Sequence, residues 1–498
     1  MKIISSIILS VLFSLFTVCI SAQSFDGYAL YSDGGSYNAY LIDKNGAIAH
    51  TWACAEEANY ATLLKDNGNI IRGAVNQNNT FSAPTVAGII QELDPSGNVV
   101  WQFDYYANNS HTSHHDITLM PSGNVLLTAY EIKSTSELSA AGFTQGFFPS
   151  EKWPTHFVEV AQNGTGGQIV WEWHMWDHMI QDTDAGKPNF GIVANNPQLM
   201  DINVSTTAFG FSGDWFHVNG VDYNPTLDQI VFTSRYTNEL YIIDHSTTTA
   251  EAASHTGGNA GMGGDFLYRW GNPSNYGSTS TQTIPEAVHD PRWVKAGRPN
   301  AGYIQFFNNE GQSNGNSAID AINPPMSGSN YTSNGPTTYD WRHNCLTSAT
   351  GQSSHDRMSN GNTFVNVSNQ YMYEVDVSGT MIWQYSAGPY KAFRYECDHP
   401  GIIALLGNDP CGLATGVEKL SEANVMIFPN PSKGMFKISG FEGIDSYEIN
   451  VFDMYGKQVL ASYKGLTIDL SKFDNGIYVI NITTESGETL VKKVSLIK

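Results

Sequence analysis

The strongest constraint on the fold is a hairpin pattern that recurs along most of the chain. Each copy has an alternating strand, an Asp or Asn turn with a Gly, two apolar residues and a Trp. Such a unit is typical of two period-2 strands joined by a tight turn. Clear copies lie at 41–52, 92–101 and 374–383, and weaker copies lie at 157–171 and 239–270. A chain of repeated hairpins predicts an all-β repeat architecture.

A second hairpin follows each copy of the first. Its clear forms are 63–71, 119–127 and 358–365, and longer turns interrupt it at 221–231 and 293–306. Two hairpins per repeat make a four-stranded meander, which is the composition of a propeller blade. We therefore predict a six-bladed β-propeller over residues 23–411, with an array of β-sandwiches as the alternative.

The predicted blades place several histidines at equivalent positions. Their innermost strands are expected to start near Gly27, Tyr60, His115, His217, His289 and Ser353. The first blade is expected to close the ring against 392–395. The first positions of equivalent inner strands converge on one rim of the channel. His355 follows Ser353 by two residues, so the strand period of 2 turns it to the same side. The histidines predict either a catalytic or ligand-binding cluster or a structural ring copied with the repeat.

Several chemistries suit such a cluster. Histidine acts as general acid or base, as nucleophile or as metal ligand. Arg235 follows the His217 strand, and a guanidinium matches a tetrahedral oxyanion through paired hydrogen bonds. Three hypotheses stay open at this point. They are an enzyme, a zinc or copper site at His115, His217 and His289, and a non-catalytic surface protein that binds glycan or protein.

Charge and the N-terminal residues limit partners and compartment. The net charge is −22, from 25 basic and 47 acidic residues, which excludes a nucleic-acid partner because phosphate binding needs a basic surface. Lys2, an apolar run over 3–20 and Ser21-Ala22 predict a signal peptide at 1–22, with a membrane anchor as the alternative. No other stretch is long and apolar enough to predict a stable membrane span.

Four cysteines remain after the predicted signal peptide: Cys54, Cys345, Cys397 and Cys411. An oxidising compartment permits disulfides, and Cys397 and Cys411 are the closest pair in sequence. They are therefore the disulfide candidate, although spacing alone does not fix the connectivity.

The C-terminal segment forms a separate module. The chain becomes loop-like over 412–424, and short alternating strands over 425–498 predict a small β-sandwich. This module resembles the C-terminal sorting domain of the bacterial type IX secretion system through Phe428-Pro429-Asn430-Pro431, 451–457 and Gly476-Ile477-Tyr478. The resemblance implies the type IX machinery as a partner, and a secreted or cell-surface protein exported through the periplasm and across the outer membrane. A generic adhesive β-sandwich is the alternative.

Residues 27–405 resemble the bacterial arylsulfotransferases that need no nucleotide sulfate donor. The matching segments are Gly27 to Tyr31, His50-Thr51-Trp52, His114-His115-Asp116, Asp214 to Asn219, Ser234-Arg235, His289-Asp290, Phe306 to Asn309, Asn360-Gly361-Asn362 and Trp383. The resemblance implies a six-bladed propeller that moves a sulfuryl group from one phenol to another by a ping-pong route. It also implies a transiently sulfated histidine, with other histidines and an arginine binding the sulfate oxygens and the leaving phenolate.

Carried over to this chain, the resemblance gives a set of site predictions. His217 matches the histidine of the Trp-x-His-x-Asn motif, and His289 matches the histidine that opens the next blade. The late-blade nucleophile falls on His355 or His343, where the motif does not align cleanly. The family's arginine after the Asn308-Asn309 turn falls on Gln312. The predicted catalytic residues are His115, His217, His289 and His355, and the predicted substrate-binding residues are Arg235, Asn219 and Asn308. The implied substrates are a phenolic sulfate donor and a phenolic acceptor, with no cofactor and no metal.

Overall fold

The computed structural model describes residues 24–83, 85–146, 151–206, 213–280, 282–411, 425–439, 447–484 and 489–498. The chain divides into two compact units, Met1–Asn408 and Asp409–Lys498. The predicted signal peptide at 1–22 and the predicted linker at 412–424 lie outside the described residues. Of the described helices, none is both long and apolar enough to pass through a bilayer.

The first unit consists mainly of antiparallel sheets, which we number along the chain from one to six. From inner edge to outer edge, sheet 1 contains Lys391–Glu396, Gly27–Ser32, Asn38–Ile42 and Ile48–Ala53. Sheet 2 contains Ala58–Leu64, Ile70–Val75, Gly88–Leu93 and Val99–Asp104. Sheet 3 contains His111–Leu119, Val125–Glu131, Thr155–Asn163 and Gly166–His174, and Tyr106–Ala107 extends its inner edge.

The remaining three large sheets have the same order. Sheet 4 contains Val218–Asn224, Gln229–Ser234, Glu239–Asp244 and Tyr268–Gly271. Sheet 5 contains Val288–Trp293, Ile304–Asn308, Ala318–Ile322 and Trp341–Asn344. Sheet 6 contains Ser354–Arg357, Thr363–Asn366, Met372–Val375 and Met381–Tyr385. The all-β, propeller-like fold is confirmed, and the count of six blades stays a prediction with which these sheets agree.

Short elements lie in the insertions within and between these sheets and after the last strand. Two-residue strand pairs are Lys133–Ser134 with Glu151–Lys152, Met179–Ile180 with Met200–Asp201, and Met326–Ser327 with Asn330–Tyr331. The α-helices are Thr135–Ala140, Thr249–Ala252 and Pro400–Leu406, and the 3₁₀ turns are Met175–His178, Val193–Asn195 and Pro273–Tyr276.

The ring closes between the two ends of the first unit. Gly27–Ser32 pairs on one side with Asn38–Ile42 and on the other with Lys391–Glu396, with Ala29 opposite Arg394. The predicted closure against 392–395 is therefore confirmed. The prediction that the Gly27 strand is innermost is wrong, because Lys391–Glu396 takes the inner edge and contacts Ser354–Arg357 of sheet 6.

The Trp of the repeated hairpin links sheets 2, 4 and 6 to a neighbouring sheet, whereas Nε1 of Trp52 in sheet 1 is buried without a partner among the described residues. The indole Nε1 of Trp101 donates to the carbonyl of Gly166 over 2.6 Å, and Trp270 does the same to Pro336. Trp383 on sheet 6 donates to the carbonyl of Lys44 on the first hairpin, also over 2.6 Å. A buried indole usually finds a partner for its one donor. The repeat therefore encodes both a packing side chain and a link between neighbouring sheets.

The second unit is a separate two-sheet module. One sheet contains Met426–Phe428, Met435–Ser439 and Thr467–Asp469, and the other contains Gln458–Tyr463, Tyr447–Asp453, Gly476–Thr484 and Thr489–Leu496. Phe436, Ile449, Val451 and Ile480 lie in the core between them and are fully buried.

In the structure Cys397 and Cys411 are disulfide-bonded, whereas Cys54 and Cys345 carry free thiols.

Candidate active site

Irregular backbone within the inner strand of sheet 3 and just before that of sheet 4 aims two histidines out of the regular pleat. The pairing of the inner strand shifts register next to His115 in sheet 3 and next to His217 in sheet 4. His115 has φ 46° and His217 has φ 50°, in the left-handed region that non-glycine residues seldom adopt. Bulges re-aim side chains, and strained residues of this kind cluster at functional sites.

These two histidines belong to a continuous chain of ring contacts. The Nδ1 atom of His217 lies 2.5 Å from Oδ2 of Asp214, and its Nε2 lies 3.1 Å from Nε2 of His115. The Nδ1 atom of His115 lies 2.8 Å from Nδ1 of His114. Tyr130 stacks on His114 with its ring centroid 3.6 Å away. We call Asp214, His217, His115 and His114 the histidine relay.

The relay has a single self-consistent proton arrangement when its imidazoles are neutral. The carboxylate of Asp214 only accepts, so His217 donates from Nδ1 and keeps its lone pair at Nε2. His115 then donates from Nε2 and accepts at Nδ1 from His114. The remaining nitrogen, His114 Nε2, is buried without a hydrogen-bond partner among the described residues, as expected for a leftover lone pair. A proton added to Nε2 of His217 would therefore reverse the donors of His115 and His114.

Burial keeps the inner end of the relay uncharged. It lowers the pKa of His114 to about 3, although Asp214 acts in the opposite direction. Burial and the neighbouring imidazoles hold the pKa of His115 well below its usual value. Burial alone would raise the pKa of Asp214, but its ion pair and hydrogen bond with His217 leave that pKa below the ordinary value. The relay thus couples one fixed carboxylate to the neutral rings of His115 and His114.

His289 differs from the relay histidines, because one of its ring nitrogens is hydrogen-bonded and the other is free. Its Nδ1 lies 2.7 Å from the carbonyl of Ala287 and 2.7 Å from Oδ1 of Asn309. A carbonyl accepts, so Nδ1 carries the proton and Nε2 carries the lone pair. Within the described residues, Nε2 has no hydrogen-bond partner. Burial lowers the pKa of His289 well below its usual value, and the nearby Arg235 and His217 lower it further. The uncharged ring, with an available lone pair at Nε2, is therefore favoured.

Arg235 provides a positive charge beside that ring. Its backbone N–H donates to the carbonyl of His217 over 3.1 Å, while its guanidinium makes no hydrogen bond or ion pair among the residues that the structure describes. A β-carbon at Gly351 would lie 2.5 Å from Nη1 of Arg235 and 3.8 Å from Cε1 of His289. The missing side chain of Gly351 thus leaves room where the free cation and His289 meet. An oxyanion fits that position.

Aromatic rings line the same region. The ring centroid of Tyr60 lies 5.3 Å from that of His115 and 4.7 Å from that of Tyr390. Tyr236 lies 4.7 Å from His217, and Gln352 donates to the hydroxyl of Tyr60 over 3.3 Å. Burial raises the pKa of Tyr60 to about 12, so its hydroxyl stays protonated. Such a lining suits an aromatic ligand.

A buried ion triad of Lys391, Asp116 and Asp290 lies next to the histidines. Nζ of Lys391 lies 2.6 Å from Oδ2 of Asp116 and 3.0 Å from Oδ1 of Asp290, and all three side chains are at most 1% exposed. The two aspartates directly follow His115 and His289 in sequence. Burial would raise the pKa of Asp290, but Arg292 and Lys391 hold it well below its ordinary value. The triad therefore links sheets 1, 3 and 5 next to the site.

The structure separates the predicted site residues into two groups. His115, His217, His289 and Arg235 lie together. His355 does not join them, because its Nδ1 contacts Gln305 at 2.8 Å and its Nε2 contacts the carbonyl of Asp290 at 2.9 Å.

The other predicted residues are also engaged elsewhere. His343 contacts the hydroxyl of Tyr373 at 2.9 Å on an outer strand. Asn219 donates to Val288 and accepts from Thr233. Asn308 donates to Ile284 and Asp320 and accepts from the Glu286 N–H. Both asparagine amides thus hold the backbone beside the site. Gln312, at the position of the family arginine, donates to the carbonyl of Ser317.

Sequence reasoning missed Asp214, His114 and Lys391 as members of the site. Asp214 lies three residues before His217, and His114 directly precedes His115. The sequence near these two predicted site residues could therefore have identified Asp214 and His114. No such local signal identifies Lys391, because only the closed ring brings it to Asp116 and Asp290.

Comparison with known proteins adds family information. The family model described as Arylsulfotransferase (ASST) matches residues 28–333, and the model described as Secretion system C-terminal sorting domain matches residues 426–497. The sorting domain indicates export to the cell surface or secretion. A search of curated proteins finds no match.

Solved structures with a similar course of the chain are distant in sequence. A Bacteroides caccae protein of unknown function has 10% identity and TM-score 0.41, covering 74% of this chain and 98% of its own. The periplasmic gluconolactonase of Pseudomonas aeruginosa has 11% identity and TM-score 0.38, covering 95% and 99%. The Dos1 propeller has 9% identity and TM-score 0.32, covering 96% of each chain. Likenesses this weak carry nothing about activity.

Proposed function

The chain belongs to the arylsulfotransferase family, and we propose that it moves a sulfuryl group from a phenolic sulfate ester to a phenolic acceptor through a sulfated histidine. No nucleotide donor takes part in this scheme. We assign His289 as the nucleophile. The observation that carries this assignment is the free Nε2 lone pair of His289 beside the unpaired guanidinium of Arg235 among the described residues.

In the first half-reaction, Nε2 of His289 attacks the sulfur of the donor. A nitrogen–sulfur bond forms, the bond from sulfur to the phenolic oxygen breaks, and the electron pair leaves with the phenolate. Arg235 binds the sulfuryl oxygens, whose charge rises in the transition state, and this is where a preorganised donor contributes most. The Nδ1–H of His289 stays on Ala287 and Asn309, which keeps the reacting lone pair in place.

His217 of the histidine relay transfers the proton between the two phenols. His217 enters this step protonated on both nitrogens, a form that Asp214 stabilises and in which the donors of His115 and His114 are reversed. The leaving phenolate takes the proton of Nε2 and leaves His217 neutral. In the second half-reaction, neutral His217 removes the proton of the acceptor phenol, whose oxygen attacks sulfur and releases His289. The proton given in the first step is thereby regained in the second. His115 and His114 act as positioning residues that fix the tautomer of His217.

Donor treatment tests the nucleophile directly. Purified full chain is incubated with p-nitrophenyl sulfate without acceptor, digested, and examined by mass spectrometry at neutral to alkaline pH. We expect the mass of one sulfuryl group on the His289 peptide, absent from His289→Gln and retained in a His50→Gln control, whose ring contacts Pro95 outside the cluster. A sulfuryl group on another histidine would reject the assignment.

Turnover tests the activity as a whole. Release of p-nitrophenol should continue beyond one equivalent only when a second phenol is present. Absence of turnover across a broad panel of phenols would reject sulfuryl transfer and would favour a non-catalytic surface protein that binds glycan or protein.

A further inference from the structure

A second histidine cluster lies away from the site described above. His178 ends the 3₁₀ turn Met175–His178, and His255 and Asp265 stand at the two ends of a loop. Oδ1 of Asp265 lies 2.8 Å from Nδ1 of His178 and 2.7 Å from Nδ1 of His255. His178 and Asp265 are buried, whereas the side chain of His255 is 58% exposed.

The tautomer of His178 makes this contact unusual. Its Nε2 lies 2.8 Å from the carbonyl of Ala252, and a carbonyl only accepts, so Nε2 must carry a proton. In the neutral ring, Nδ1 therefore presents a lone pair directly to a carboxylate oxygen. Two acceptors at 2.8 Å repel each other unless a proton or a cation lies between them. Metal-bound histidines characteristically donate their second nitrogen to a carbonyl or carboxylate in this way.

The loop between His255 and Asp265 indicates a structural role for the cluster. Residues 256–264 include Gly257, Gly258, Gly261 and Gly263, and these four glycines have positive φ. A loop so rich in glycine loses much conformational entropy when it is ordered. Ligands at both of its ends, joined to His178 on a different segment, would close the loop at a single point.

We propose that Nδ1 of His178, Nδ1 of His255 and a carboxylate oxygen of Asp265 bind one Zn²⁺ ion. Two imidazoles and a carboxylate are a ligand set that zinc takes in tetrahedral sites, where water fills the remaining position. The exposed ring of His255 provides the entry path. Trp173 fixes the buried side of the site, since its ring lies parallel to that of His178 and its Nε1 donates to the carbonyl of Gly264 over 2.7 Å. The ion clamps the 256–264 loop and takes no part in sulfuryl transfer.

Zinc binding to the full chain tests the proposal. The protein is stripped with EDTA and titrated with Zn²⁺ in competition with a chromophoric chelator. We expect one tight equivalent in the wild type and an apparent Kd raised on the order of 100-fold or more in His255→Ala. His255 is exposed, so its loss should not unfold the chain. Asp265→Asn is the second variant, and His50→Ala is the matched loss of an imidazole elsewhere.

A second measurement locates the bound ion. Limited proteolysis should cut the 256–264 loop faster in stripped protein and in His255→Ala with zinc than in zinc-loaded wild type. Absence of a tight equivalent in the wild type would overturn the proposal. So would zinc that survives in His255→Ala but disappears in His217→Ala, because that result would place the ion in the histidine relay.

Discussion

Replacing Asp214 by asparagine tests the direction of the histidine relay. Asp214 accepts from the backbone N–H of His217 over 3.1 Å and lies 2.5 Å from its Nδ1. The amide introduced by Asp214→Asn can offer an N–H to Nδ1, which moves the lone pair of His217 from Nε2 to Nδ1. His217 Nε2 would then donate to His115, and His115 would donate to His114. One substitution thus exchanges the donor and acceptor nitrogens of all three imidazoles with little change in the shape of the side chain at position 214.

The expected loss follows from the role of His217. A neutral ring with its proton on Nε2 is too weak an acid for the leaving phenolate, and it has no lone pair at Nε2 to take a proton from the acceptor. General acid–base catalysis contributes about 10²–10⁴-fold to a rate, which corresponds to about 3–5 kcal/mol of barrier. We expect steady-state transfer by Asp214→Asn to fall within that range.

A comparison of burst and steady state makes the assay selective. Nitrophenolate is a weak base and leaves without a proton, so Asp214→Asn should keep a nitrophenolate burst of one equivalent. The acceptor step still requires a base and should become slow. Phenyl sulfate, whose phenolate is a strong base, should lose both phases.

The matched control is Asp228→Asn. Oδ1 of Asp228 lies 2.8 Å from Nδ1 of His245, away from the relay, so the same chemical change is made at the same kind of contact. It should leave transfer unchanged. Turnover of Asp214→Asn within about tenfold of wild type would refute the relay, because the expected minimum is about 10². Equal loss of burst and steady state would instead show that Asp214 acts through the fold.

Three further substitutions separate support from chemistry. Lys391→Met leaves the carboxylates of Asp116 and Asp290 buried without their shared cation, so denaturant unfolding should show about 3–5 kcal/mol less stability; a loss below about 1 kcal/mol would contradict the triad. His355→Gln should keep transfer activity while lowering the unfolding free energy by about 1–3 kcal/mol, and loss of activity in a folded protein would return His355 to the site. Arg235→Met should lower kcat/KM about 10²–10³-fold with an unchanged melting temperature, and a small kinetic effect would remove it as the sulfate ligand.

The repeats predict the sheets well because each sheet is built from local hairpins. Alternation, Asp turns with Gly and the closing Trp are all set within a dozen residues, and the turn at Asp94 shows how: its carboxylate accepts from the N–H groups of Ser96 and Asn98, and Gly97 has φ 83°. The position of the Gly27 strand could not be predicted in this way. Its place depends on Lys391–Glu396, more than 350 residues away, which completes the sheet from the far end of the unit.

The sequence predicts the site less completely, because irregular backbone directs it. The strand period of 2, counted from Ser353, places His355 beside the other histidines. That rule requires extended backbone, but Gln352 has φ 50° and Ser353 has φ 83°, so the alternation breaks and His355 turns towards Asp290. The same kind of irregularity at His115 and His217 aims those rings at each other. Hydrophobic pattern carries no information on either outcome.

Ring closure and site assembly are therefore one event in this chain. His115 and His289 stand on different sheets, and the residues that follow them, Asp116 and Asp290, are held by a lysine from the strand that closes the ring. Without that strand, the two carboxylates would lose their shared cation and Arg292 would pair with Asp290 alone, so the repulsion between two buried like charges would be less compensated. Lys391 thus couples the placement of the His115 and His289 strands to the closure of the ring. A defect in pairing between Gly27–Ser32 and Lys391–Glu396 should consequently remove activity before it unfolds the outer strands.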